Sequence, residues 1–245
     1  MKKSLFAVLL ASFAFSAAAK DLLIGTEATY APFEFYNDKN EIVGFDIDVI
    51  NKVCEKMETS CKIVNQSFDS LIPSLKTRRI DAAIAGIDIT PERLKQIDFS
   101  DLYHSNNGIR FIILKNSDIK DLTSLKGKRI GIQGGTAYQK YLDDKYPDSK
   151  VVTYESYQYA LLDLKAGRID SIACSALVAE EWLGKESDIT PLTDKIIDKE
   201  YFGEGLGIAI RKGNSDLLNK FNQALASLKE DGTLNEIYKK WFLNK

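Results

Sequence analysis

Apolar positions along the chain change spacing at definite points, and those changes mark out elements. A short apolar run from Leu22 to Gly25 predicts a strand. Beyond it, Ile50, Val53, Cys54 and Met57 recur at helical spacing, and Cys61 to Val64 again reads as a strand. The same plan then comes twice. SFDSLIPSLKTRRID (67–81) and SYQYALLDLKAGRID (156–170) are identical at six of fifteen positions. Leu71, Ile72 and Leu75 in one copy, and Leu161 and Leu164 in the other, follow helical spacing. Each copy runs through a turn into a short buried strand, Ala82 to Ala85 and Ser171 to Cys174. Upstream, Ile130-Gly131 answers Ile24-Gly25, each closing an apolar strand before a polar turn and a helix. Two similar units follow from this.

Strand and helix alternate within each unit, which predicts parallel pairing with crossover helices on both faces. The fold class expected is α/β: two doubly wound α/β lobes joined by a two-segment hinge. Lobe 1 spans 20–106 plus 199–245 and lobe 2 spans 109–196. The tail offers a strand over Gly205 to Ile210 and helices near Ser215 to Lys229 and Gly232 to Trp241. It is assigned to lobe 1 because those helices otherwise have no surface to cover. Such a pair of lobes can close like a clam by hinge bending.

The first residues belong to a different class. Lys2 and Lys3, an apolar run from Leu5 to Phe15 and Ala17-Ala18-Ala19 read as a secretory signal peptide, 1–19, cut after Ala19. Without its two lysines the chain has 31 basic and 35 acidic residues, a formal charge of −4. Dispersed mild acidity argues against nucleic acid. No later stretch approaches the ~20 apolar residues of a spanning helix. Export also bears on the three cysteines. In an oxidising compartment Cys54 and Cys61 can staple the helix to the strand that follows it, the alternative being two buried thiols. Cys174 is left over as a buried or cleft-edge free thiol.

Candidate chemistry gathers beyond the strand ends, where an open α/β sheet places its ligand. TEATYAPFEFYNDKNEIVGFDID (26–48) puts Glu27 and the rings of Tyr30, Phe33 and Phe35 just past the first strand. A carboxylate beside aromatic faces suits a cationic or amphipathic small molecule. The repeat places Gly86 and Ser175 at the ends of matching strands, facing one another across the cleft. Around them collect Glu27, Tyr30, Phe68, Asp88, Arg93, Gln133 and Thr136. GIQGGTAY (131–138) is glycine-rich and opens a helix, a place for a carboxylate, though it lacks the Gly-Lys-Ser/Thr ending of a nucleotide loop. It also reads as a turn where glycine only relieves strain. In GIDITPER (86–93), Thr90 is the N-cap, Pro91 the first helical residue, and Arg93 falls in the first turn, against the helix dipole. Arg93 is either a clamp on a carboxylate or half of a surface salt bridge. One histidine, His104, leaves no histidine-rich metal site, and its neighbour Ser105 cannot serve it as a nucleophile. His104 is read as a surface or hinge residue. No metal and no cofactor are expected.

With TYAPFEF, GFDIDV, FDSLIPSL, DITPER, GGTAYQKY, LKAGRID, YFGEGLGIAIRKGN and EDGT in view, the chain resembles a known family over essentially all of its mature length. These are the periplasmic solute-binding proteins of polar amino-acid ABC importers, above all the arginine-binding members, with lysine/arginine/ornithine and histidine binders as relatives. The resemblance implies the type II periplasmic binding protein fold, a periplasmic monomer, a basic amino acid as ligand, ABC permease subunits as partners, and no catalysis. It implies that Glu27 faces the ligand's distal cation and that Tyr30 and Phe68 sandwich its aliphatic stem. It places the backbone of Ala85 and Gly86 and the side chain of Asp88 at the ligand head. Arg93 and the turn at Thr136 take the α-carboxylate, and Cys54 and Cys61 match the family disulfide.

Two positions depart from that pattern. Ser175 stands where the family usually has an aspartate paired with the α-ammonium, and Ala137 where a threonine is common. Asp88 is placed to compensate. L-arginine is therefore the first expectation, and a guanidino or other cationic carboxylate lacking an α-ammonium the second. Two readings from other classes are a dehydratase with Glu27 or Asp88 as general acid or base, and a receptor module that reports occupancy to a membrane partner.

Overall fold

The computed structural model describes residues 21–105 and 108–243, so the signal segment 1–19 lies outside the described residues. Two five-stranded sheets carry the fold. The first has the order Cys61–Asn65, Leu22–Thr26, Ala82–Ala83, Ala209–Arg211, Ile97–Phe99. The second has the order Lys150–Tyr154, Arg129–Gln133, Ser171–Ser175, Ile109–Leu114, Ile189–Pro191. These are the two α/β lobes, built on one plan.

The repeat reads out as equivalent structure. Helices Phe68–Lys76 and Tyr157–Lys165 bury Leu75 and Leu164 completely. The closing aspartates act alike: Asp81 accepts from the amide of Leu23 at 2.9 Å, and Asp170 from the amide of Arg129 at 2.7 Å. Each carboxylate thus ties the turn after its helix to the start of the neighbouring strand.

Parallel pairing holds for only part of each sheet. In the first, Leu22–Thr26 pairs in parallel with Cys61–Asn65 and Ala82–Ala83, whereas Ala209–Arg211 runs antiparallel to both of its neighbours. In the second, Ile109–Leu114 is antiparallel to Ser171–Ser175 and to Ile189–Pro191. The expectation of wholly parallel sheets is corrected, and the cause is the crossing chain. Ile109–Leu114 arrives from the first lobe and Ala209–Arg211 returns from the second, each entering its sheet without a crossover helix of its own. The crossings pair with each other as His104–Ser105 against Gly205–Leu206. The tail strand expected over Gly205 to Ile210 is therefore two strands, one in this hinge pair and one in the first sheet.

Both faces of the first sheet are covered. Helix Phe68–Lys76 supplies Leu71 and Leu75 to one face. On the other, helix Phe45–Lys56 buries Val49, Ile50 and Val53 beneath helix Ser215–Glu230, whose Phe221, Ala224, Leu225 and Leu228 follow helical spacing. Cys54 and Cys61 form the disulfide, with Cα atoms 6.2 Å apart, and Cys174 is a buried free thiol. The last helix, Thr233–Tyr238, is shorter than the sequence suggests and passes into a wider turn, Lys239–Leu243. Trp241 there donates to Asp48 at 2.7 Å.

Candidate functional site

Strand ends of both sheets meet across a cleft in which the two lobes touch. Tyr30 and Phe68 from the first lobe, with Gln133 and Thr136 from the second, line one small cavity that Gly86, Asp88 and Arg93 complete. Ser175 lines the adjoining cavity, again with Tyr30, Gly86 and Asp88. Ala85 precedes Gly86, but its methyl group is buried on the Leu71 and Leu75 side of the sheet, leaving its backbone as the part nearest the cleft. Glu27 reaches the cleft through Gln133, with which it hydrogen-bonds. The expected set is thus brought together, from segments as far apart in sequence as 27 and 175.

Glu27 is 5% exposed, and burial raises its pKa. Hydrogen bonds from Thr29 and Gln133 work the other way, and the nearby charge of Glu155 adds to the rise. None of these groups is a cation. Gln133 is held in turn by donating Nε2 to the Glu155 carbonyl at 3.1 Å.

Arg93 is 6% exposed in the short helix Pro91–Leu94, where the Thr90 side chain caps its amide at 3.2 Å. A surface salt bridge is excluded by that burial. Nη1 donates to the Asp88 carbonyl at 2.9 Å and Nη2 to the Gly135 carbonyl at 3.0 Å. Burial disfavours its charge and the Asp88 carboxylate favours it. The Phe68 ring lies 5.4 Å from the guanidinium carbon.

Aromatic rings close the remaining sides. Tyr30 stacks between Phe33 of its own lobe and Tyr157 of the other, with centroids 5.6 and 5.8 Å away. Gly86 has φ +56°, and a Cβ there would stand 3.0 Å from the Tyr30 ring, so a glycine lets strand end and ring approach. The Tyr157 hydroxyl donates to the Ala173 carbonyl at 3.2 Å. Tyr138 borders both cavities and packs edge-on against Phe202 of the helix Lys199–Phe202.

Tyr138 and Tyr157 were not among the expected residues. Tyr157 had a signal: in the aligned repeat it stands opposite Phe68. Tyr138 ends the GIQGGTAY run, whose glycines and threonine carry the local signal while the ring does not. Phe35 faces away from the cleft and packs edge-on to Trp241. His104 is not a surface residue but half-buried in the hinge pair, stacked at 7° on Phe242, and burial lowers its pKa to about 4. Cys174 lies in the strand just before Ser175, and burial pushes its thiol far up, which leaves it unreactive.

Comparison with known proteins fits this geometry. Residues 22–244 match the model of the bacterial extracellular solute-binding proteins, family 3. The chain is 49% identical over 243 residues to the ABC transporter arginine-binding protein 1 of Escherichia coli K12, covering 99% of each. It is 41% identical over 245 residues to the arginine-binding periplasmic protein of Mannheimia haemolytica, covering 100% of each. Among solved structures, a periplasmic binding protein of Salmonella typhimurium described for its high arginine specificity superposes with a TM-score of 0.88 at 42% identity, over 91% of this chain and 100% of that one. An ancestral arginine-binding protein bound to arginine gives 0.84 at 37% identity, over 91% and 98%. Matched from its first described strand to its last described helix, the chain belongs to the bacterial extracellular solute-binding proteins of family 3.

Proposed function

We propose that this chain is the periplasmic substrate-binding component of an ABC importer for basic amino acids, with L-arginine as its ligand. The observation that carries the reading is a cleft burying two ionic groups of opposite sign, Glu27 and Arg93. Among the described residues no cation acts on Glu27, and Arg93 hydrogen-bonds to carbonyl oxygens, with the Asp88 carboxylate acting on its charge. A buried charge calls for a partner. A ligand with a cation at one end and a carboxylate at the other satisfies both, and relatives named for arginine support that choice.

In this mechanism Glu27 takes the guanidinium, and Tyr30 and Phe68 flank the aliphatic stem. Asp88 and the backbone of Ala85 and Gly86 meet the α-ammonium, Arg93 and the turn at Thr136 hold the carboxylate, and Gln133 lines the cleft beside Glu27. Lobe 1, 20–106 with 199–245, and lobe 2, 109–196, swing together about the hinge pair, and the closed monomer docks on the permease. Closure is favoured by contacts made only when the lobes meet, such as Arg93 to Gly135. Calorimetric titration with L-arginine, L-lysine, L-ornithine and L-histidine tests the proposal. Saturable binding, tightest for arginine, is expected; no binding of any of the four overturns it.

Ser175 favours a second reading, because it offers the ligand head a hydroxyl rather than a carboxylate. Tighter binding of 4-guanidinobutyrate than of L-arginine selects a ligand without an α-ammonium. If L-arginine is the ligand, Ser175→Asp strengthens its binding, and unchanged or weaker affinity counts against the pairing.

A further inference from the structure

Two carboxyl groups meet in the interior of the first lobe, behind the ligand cleft. Glu34 opens the strand Glu34–Tyr36 and Asp46 is the second residue of helix Phe45–Lys56; both are 0% exposed. Asp46 Oδ2 accepts two hydrogen bonds, from the Gly86 amide at 2.7 Å and from the Tyr103 hydroxyl at 2.9 Å. The other three oxygens, Glu34 Oε1 and Oε2 and Asp46 Oδ1, receive no N–H or hydroxyl donor. The two side chains are within hydrogen-bonding reach of each other.

Among the described residues no lysine or arginine acts on the pair. The charge of Glu27 bears on Glu34 from the neighbouring strand end. Tyr30 and Tyr103 present phenols, with Asp88 acting on both from the loop after Gly86. His104, packed on Phe33 and Phe45, is held neutral by burial. Lys240 of the C-terminal turn binds Asp48 at 2.6 Å. Two ionised carboxylates sealed together without a cation repel each other and lose their hydration. One proton removes both problems. Burial raises the pKa of Asp46 to about 7 and that of Glu34 well above its ordinary value, so one proton remains on the pair once the pH passes about 7. Asp46 is the better anion, with two donors on Oδ2 and a place in the first turn of a helix. Glu34, with none, is the better acid.

We propose that Glu34 and Asp46 hold a single proton, which Glu34 donates to Asp46 Oδ1, and that the pair acts as positioning residues for the Gly86 amide at the ligand cleft. Gly86 borders both cavities, and its positive φ turns the strand end toward the ligand. The anionic Asp46 fixes that turn from behind, and the Glu34 proton keeps Asp46 satisfied. Only the ligand-facing role of Gly86 rests on the function proposed above.

Burial and the Asp46 charge raise the pKa of Glu34 above its value in the unfolded chain, so the folded protein retains a proton that the unfolded chain releases. Stability from this group is full below about pH 4.3 and falls as the pH rises toward the folded pKa. Unfolding of the wild type and Glu34→Gln, without ligand, should show the wild-type unfolding constant rising relative to the variant by roughly tenfold per pH unit in that window. A pH-independent offset overturns the shared proton. Infrared spectra of the folded wild type at neutral pH should show the C=O stretch of a buried protonated carboxyl; its absence overturns the proton whether or not the variant folds.

For the positioning role, Glu34→Leu should weaken L-arginine binding about tenfold or more, and Glu34→Gln, whose amide can still donate to Asp46, should recover most of the loss. Unchanged binding in Glu34→Leu overturns the positioning role alone. A wild type that binds no basic amino acid overturns the proposed function while the unfolding and infrared tests still decide the proton.

Discussion

Arg93 donates Nη2 to the carbonyl of Gly135, 3.0 Å away and in the other lobe. The same guanidinium holds the Asp88 carbonyl at 2.9 Å, so one side chain binds its own strand end and the facing lobe. Lysine keeps the charge but cannot span both acceptors. Charge-assisted bonds contribute ~1.5–3 kcal/mol each, so Arg93→Lys should weaken L-arginine binding by roughly a hundredfold. Calorimetry measures it, and wild-type affinity would remove Arg93 from the site.

Gly135 is the counterpart of that contact. Its φ is +78°, and a Cβ there would lie 2.9 Å from the Cα of Asp69 in the other lobe. Gly135→Ala should hold the lobes apart and lower affinity about tenfold or more, while the separate lobes stay folded. X-ray scattering should then show a larger radius of gyration at saturating arginine than in the wild type.

Glu27 gives a prediction with opposite signs for binding and stability. Burial raises its pKa in the folded protein, so its stability contribution is full below about pH 4.3 and is lost as the pH climbs through the folded value. Glu27→Gln should therefore leave the ligand-free protein at least as stable at neutral pH. Binding goes the other way, because a cationic ligand needs the ionised carboxylate. Affinity for arginine should fall by roughly a hundredfold in the variant, and in the wild type as the pH drops through the Glu27 pKa. Titrations in buffers of different ionisation enthalpy read the proton released on binding.

The disulfide serves stability. Cys54 and Cys61 are seven residues apart and join helix Phe45–Lys56 to the strand Cys61–Asn65, away from the cleft. Replacing both with serine should cost about 2 kcal/mol of unfolding free energy through the freed loop. Denaturant unfolding measures that loss, and arginine affinity should stay within about twofold of wild type.

Much of the candidate site's geometry was legible from local pattern. Thr90-Pro91 announced the helix that carries Arg93, and the capping bond is present. The repeat set Gly86 against Ser175 and held the signal for Tyr157. The Glu34 and Asp46 pair was not legible. Both sit in motifs that look like ordinary polar positions beside a strand and in a helix's first turn, and only packing sealed them from water.

By itself the sequence determined which faces of each element are apolar, where helices start, and that two halves share one plan. Those properties live in residues a few positions apart, within reach of a single turn or strand. Tertiary structure decided the rest. It inserted Ala209–Arg211 antiparallel beside Ala82–Ala83, stacked Tyr30 on Tyr157 across the cleft, and gave Arg93 its second acceptor. Each joins segments dozens to more than a hundred residues apart. Such pairings depend on how whole sheets fit together, and no local spacing encodes that fit.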